Sequence, residues 1–164
     1  MADKILQVKN LKTYFHTEAG LVKAVNDVSF DVEKGKTLGI VGESGCGKSM
    51  TSLSIMRLIE KPGKIEGGEI LLDGEDIVKM SEDEMRKIRG KKIALVFQDP
   101  LSALNPIMKI GNQIVEALVL SGSVPKSEAK ERALDLMRKV GIPQPELRYS
   151  QYPFQFSGGM RQRI

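Results

Sequence analysis

Thr37-Leu38-Gly39-Ile40-Val41-Gly42-Glu43-Ser44-Gly45-Cys46-Gly47-Lys48-Ser49 is the stretch whose reading decides the fold. Its first five residues are short, apolar and partly β-branched, and they predict a buried strand. The next eight satisfy G-x-x-x-x-G-K-[ST] in full. A helix is predicted from Lys48 to about Glu60, with Leu53, Met56, Leu58 and Ile59 on its apolar side and Pro62-Gly63 as its stop. Strand, glycine loop and helix in that order form a phosphate-binding loop. The chemistry demands these residue types. Backbone N–H groups wrap a polyphosphate only where glycine permits the close approach and the unusual dihedrals. The helix start turns its positive end toward the anion. Lys48 adds a point charge, worth roughly 4 kcal/mol before desolvation at about 4 Å and an effective dielectric near 20. Ser49 offers a hydroxyl to a divalent cation. Cys46 fills a free position of the pattern, and a passive loop residue is its simplest role.

Outward from the loop, Ile5–Phe15 and Val22–Val32 read as strands joined by a turn at Glu18-Ala19-Gly20, an antiparallel pair. Glu33-Lys34-Gly35-Lys36 makes the next turn. A strand is predicted over Glu69–Leu72, followed by an Asp73-Gly74 turn. Ser81 with Glu84 forms a capping box opening a helix to about Ile88. The continuous apolar run Ile93–Phe97 predicts a strand buried on both faces. Beyond Asp99-Pro100 the periodicity is helical, over 110–120 and 126–140. Glu128 with Arg132 and Asp135 with Lys139 stand in acid-first i, i+4 order. Gly141 and Pro143 close the second helix.

Composition removes other classes. The 164 residues suit one ordinary domain. A single cysteine forms no internal disulfide, so a secreted disulfide scaffold is excluded. The N-terminus shows no signal peptide pattern and no run is long enough to span a membrane, which predicts a cytoplasmic location. The net charge of +4, with signs interleaved as in Glu82-Asp83-Glu84-Met85-Arg86-Lys87, gives no concentrated basic face, so no nucleic-acid partner is expected.

Two further segments narrow the reading. Gln98 follows the apolar run in Leu95-Val96-Phe97-Gln98-Asp99-Pro100, and Ser157-Gly158-Gly159-Met160-Arg161-Gln162 stands near the end. With the phosphate loop, in this order and spacing, the chain resembles the nucleotide-binding domain of ABC transporters. Phe97–Pro106, Val41–Gly45 and Gln151–Phe156 are similar to the ATP-binding subunits of oligopeptide and dipeptide importers, with nickel importers close by; the cargo stays open among these.

The resemblance implies an α/β P-loop core with an antiparallel β part over residues 1–99, and a helical subdomain ending in the signature motif over 100–164. It implies ATP and Mg²⁺ as cofactors. Gly42, Glu43, Ser44, Gly45, Cys46, Gly47, Lys48, Ser49 and Met50 would hold the nucleotide, with Ser49 and Gln98 at the metal. Lys48 and Gln98 would serve catalysis, Gln98 also linking the site to the membrane partner. Ser157, Gly158 and Gly159 would complete the site of a second ATP-binding subunit in a head-to-tail dimer. An aromatic residue near the N-terminus would stack on adenine. Tyr14 and Phe15 both qualify, and strand alternation allows only one of them, Phe15 being preferred. Permease subunits, and indirectly a solute-binding protein, would be the partners, with the protein peripheral on the inner face of the cell membrane. The family's Walker B aspartate, following glutamate and switch histidine are expected after Ile164, so residues 1–164 are expected to bind ATP with little or no hydrolysis. A non-transport ABC-type ATPase working on nucleic acid or ribosomes is the alternative, as is a nucleotide-binding segment without catalysis.

Overall fold

The computed structural model of the chain describes residues 3–97, 99 and 103–164. It divides into two compact units, Met1–Leu95 and Val96–Ile164.

In the first unit, strands β1 (Lys4–Thr17) and β2 (Gly20–Glu33) pair antiparallel. Both are longer than the apolar pattern predicts, because the turn at Glu18-Ala19 is tight enough for pairing to reach Thr17 and Gly20. Strand β3 (Gly63–Leu72) pairs with the other edge of β1, and the two-residue β4 (Glu75–Asp76) follows the Asp73-Gly74 turn. The sheet order is β2-β1-β3-β4. Its inward face carries Val8, Leu11, Val25, Ile70 and Leu72, packed with Ile55, Ile77, Met85 and Ile88. Helix α2 (Glu82–Ile88) begins with the predicted capping box: Glu84 N–H donates to Ser81 Oγ, and Ser81 N–H donates to the Glu84 carboxylate at 2.7 Å.

Three sequence expectations are corrected. Residues 37–41 form no strand; Leu38, Ile40 and Val41 are exposed, Val41 at 96%. Ile93–Phe97 makes one parallel bridge, Arg89 to Ile93, and no ladder. Both segments have the composition of buried parallel strands, but such strands take their hydrogen bonds from neighbours on each side. Among the described residues no strand flanks them. The third correction is the first helix. Helix α1 spans Lys48–Ile55 and stops well before Pro62. Arg57 adopts a left-handed φ of +52°, and Arg57 N–H bonds Ser54 O while Leu58 N–H bonds Leu53 O. That is a Schellman ending without glycine. Arginine pairs hold it: Arg57 donates to Ile77 O, and Arg89 donates to Met56 O and Arg57 O.

The second unit holds α3 (Ile110–Leu120), α4 (Ala129–Lys139), α5 (Pro145–Arg148), a 3₁₀ turn (Pro153–Gln155) and α6 (Gly158–Arg163). Ile110, Met137, Ile142 and Phe156 form its core. The start of α3 is satisfied by backbone: Ile110 N–H bonds Gln151 O and Gly111 N–H bonds Tyr149 O, both at 2.9 Å. The Asp135–Lys139 pair forms as expected, but Arg132 pairs with Asp135 rather than with Glu128. Glu128 is the N-cap of α4, where its carbonyl accepts from Arg132 N–H at 3.0 Å.

Candidate functional site

The phosphate loop leaves the irregular segment at Val41 and enters α1 through Gly47, the N-cap. Gly45 and Gly47 hold φ of +82° and +94°. Gly47 also presses on β2: a Cβ there would lie 2.5 Å from the carbonyl oxygen of Ala24. This contact explains the second glycine of the pattern twice over, by dihedral and by space.

Lys48 folds back over the loop. Its Nζ donates to Gly42 O at 2.8 Å and to Glu43 O at 2.6 Å, and stands 3.5 Å from Cys46 Sγ. Loop and lysine thus brace one another, with the ammonium in the concavity. The N-cap is glycine and supplies no side-chain acceptor, so the N–H groups of the first turn of α1 have no capping side chain. The residues that carry them line a cleft of about 460 Å³. Gly45, Cys46, Gly47, Lys48, Ser49 and Met50 form one wall, and Val22, Lys23 and Ala24 of β2 form the other. A cleft of backbone N–H groups, a lysine and an exposed hydroxyl at Ser49 suits a phosphate chain.

The other predicted site residues are placed as follows. Gly42 and Glu43 contribute carbonyls to Lys48 rather than lining the cleft. Ser44 is exposed in the turn that precedes Gly45. Phe15 is half-buried, its ring edge against Gly63 beside the Ile59 side chain. It does not line the cleft, but its cross-strand partner Val22 does. Tyr14 is engaged elsewhere: its hydroxyl donates to Asn26 Oδ1 at 2.7 Å and Lys23 Nζ lies 5.6 Å from its ring centroid. Ser157, Gly158 and Gly159 are exposed in the second unit, where Ser157 Oγ accepts from Met160 N–H at 3.3 Å as the cap of α6. Gln98 lies outside the described residues. Among the described residues no group of three or more His, Cys, Asp or Glu side chains is arranged for a metal.

Sequence reasoning missed the β2 wall. The signal was present: the turn at Glu18-Ala19-Gly20 sets Val22 opposite Phe15. It also missed the buried pair Thr13–Ser54 between β1 and α1, since no local pattern links residues 41 positions apart.

Comparison with known proteins bears on this geometry. Residues 25–164 match the family model described as ABC transporter. The oligopeptide transport ATP-binding protein OppD of Bacillus subtilis (strain 168) is 52% identical over 162 residues, covering 98% of this chain and 45% of OppD. The dipeptide transport ATP-binding protein DppD of Lactococcus lactis subsp. cremoris (strain MG1363) is 51% identical over 162 residues, covering 98% of this chain and 46% of DppD. The chain therefore spans a little under half the length of these curated relatives. The solved dimeric structure of the ATP-binding cassette MJ0796, in a post-hydrolysis state bound to ADP and Pi, superposes with a TM-score of 0.82 at 27% identity, covering 96% of this chain and 66% of that one. No helix among the described residues is long and apolar enough to cross a membrane. The fold is that of an ATP-binding cassette, and the family match extends from Val25 in β2 through α6: the chain belongs to the ABC transporter family.

Proposed function

We propose that this chain is the ATP-binding part of a peptide-importer subunit, in which ATP binding and hydrolysis drive transport. The observation that carries the proposal is the loop around Lys48, two left-handed glycines leading into a helix start with the ammonium in the concavity. The names of the relatives supply the peptide cargo. Gly45–Ser49 backbone N–H groups and Lys48 would hold the phosphates, and Ser49 would contribute a hydroxyl to Mg²⁺. Gln98 is proposed as the second metal-side group. Phe15, continued by Val22, is proposed as the adenine platform. Bound Mg²⁺-ATP supplies the transferable phosphoryl group and the cation that neutralises its charge. The chain's own residues bind and orient it.

In the proposed assembly two ATP-binding subunits meet head to tail, and Ser157, Gly158 and Gly159 of each face the nucleotide of the other. The dimeric cassette structure supports that reading. Permease subunits would anchor the pair at the inner face of the membrane, with a solute-binding protein delivering cargo. Hydrolysis is proposed for the whole subunit.

Titration calorimetry with Mg-ATP, on the chain and on Lys48→Ala, tests the reading. Micromolar-range binding, about −8 kcal/mol, that Lys48→Ala abolishes is expected. No binding by a chain that circular dichroism shows to be folded, or equal binding by Lys48→Ala, would overturn it.

A further inference from the structure

We propose that Thr13 and Ser54 are positioning residues, a buried hydroxyl relay that sets the distance between the adenine platform on β1 and the phosphate cradle at the start of α1. The inference rests on the nucleotide-binding reading above and deepens it.

Both residues are fully buried, at 0% exposure. Their hydroxyl oxygens are 2.7 Å apart. Ser54 Oγ is also 2.6 Å from Met50 O, an acceptor only, so the one Ser54 proton goes there. Thr13 therefore donates to Ser54. The result is a directional chain from β1 through Ser54 into the first turn of α1, ending one residue beyond Ser49. A buried hydroxyl pair is costly unless made and gives no apolar packing, so its geometry is narrowly defined.

The two ends of the relay are the two halves of the proposed site. Thr13 and Phe15 are two apart on a strand and share a face, and their pairing with β3 runs without a shift through Ile65, Lys64 and Gly63. Phe15 is seated against Gly63, where a Cβ would meet its ring at 2.5 Å. At the other end, Met50 lines the cleft with Lys48 and Ser49. A nucleotide that must meet base platform and phosphate cradle at once is sensitive to the spacing between them. A bare polyphosphate, which meets only the cradle, is not.

That difference is the test. The 164-residue chain is titrated with Mg-ATP and with magnesium tripolyphosphate, as wild type, Thr13→Val, Thr13→Val/Ser54→Ala and Thr13→Ser. The double variant removes both hydroxyls and leaves neither orphaned, which protects folding. We expect Thr13→Val and the double variant to bind Mg-ATP about 3- to 10-fold more weakly, with tripolyphosphate affinity unchanged, and Thr13→Ser to restore ATP binding. Parallel loss of both ligands would assign the pair to folding alone, and unchanged ATP affinity would leave it no role in positioning; either overturns the inference while the nucleotide reading stands. A wild-type chain that binds neither ligand overturns both.

Discussion

The carbonyl oxygen of Ala24 occupies the place where a side chain on Gly47 would have to go, 2.5 Å from an ideal Cβ. The phosphate loop is thereby pressed against β2, the strand that carries the far wall of the cleft. Backbone cannot yield as a flexible side chain can.

Gly47→Ala should therefore cost more than dihedral strain. The left-handed conformation at φ +94° alone costs a non-glycine residue about 1–2 kcal/mol. Separating the loop from Ala24 adds to it and opens the cleft. Gly45→Ala is the control, since φ is +82° there but a Cβ would meet nothing within 4 Å. Urea midpoints should fall for both, and further for Gly47→Ala, with Mg-ATP affinity lost in that variant. Equal midpoints for the two would show the Ala24 contact to be inert.

Asp76 gives the first unit a pH-dependent hold on its β3–β4 hairpin. Burial works to raise its pKa, but the Lys79 ammonium at 2.8 Å and the N–H groups of Val78 and Ile70 outweigh it and hold the carboxyl below its ordinary range. A carboxylate with a depressed native pKa stabilises the fold above the unfolded pKa, about 3.9 for aspartate, and the contribution is lost as pH falls through the native value. Asp76→Asn should lower the urea midpoint at pH 7, and the gap from wild type should narrow by about pH 3. A gap that is constant with pH would remove the carboxylate charge from the explanation.

Which of these features the sequence displays depends on the range of the interaction behind them. The glycine loop, the β1–β2 hairpin, the Ser81–Glu84 box and the Gly141 stop are local devices, with all their determinants within a few residues. The apolar runs at 37–41 and 93–97 carry strand composition, but pairing partners decide whether such a run becomes a strand. The end of α1 was hidden because Arg57 takes the left-handed position that glycine usually signals, and its support from Arg89 comes from 32 residues away. In the site, the run from Gly45 to Met50 that walls the cleft stands in one stretch of sequence, while Gly42 and Glu43 turn their carbonyls to Lys48. The Thr13–Ser54 relay was not legible, because helix packing joins residues 41 positions apart, and the wall formed by Val22, Lys23 and Ala24 follows only from the register that the Glu18-Ala19-Gly20 turn sets.

Gly141 joins two helices of the second unit, and its replacement should be felt in both. At φ +71° it closes α4 with a Schellman pair: Gly141 N–H to Arg138 O and Ile142 N–H to Met137 O, each 2.9 Å. The accompanying apolar contact is present, since Ile142 and Met137 belong to one buried cluster. Arg163 of α6 then donates to Val140 O at 3.0 Å and Gly141 O at 2.7 Å, a cation on the negative end of α4. A Cβ on Gly141 would stand 3.0 Å from that same Nη1. Gly141→Ala should destabilise the chain by about 1–2 kcal/mol from the left-handed strain, and Gly141→Asn by less. Arg163→Met should cost less than Gly141→Ala. The double variant should fall short of the sum, because a Cβ at 141 already displaces the guanidinium that the second change removes. Urea unfolding of wild type, Gly141→Ala, Arg163→Met and the double variant measures the coupling directly, and strict additivity would show that Arg163 keeps its bonds in Gly141→Ala, so that the missing Cβ at 141 is not what admits the guanidinium to the end of α4.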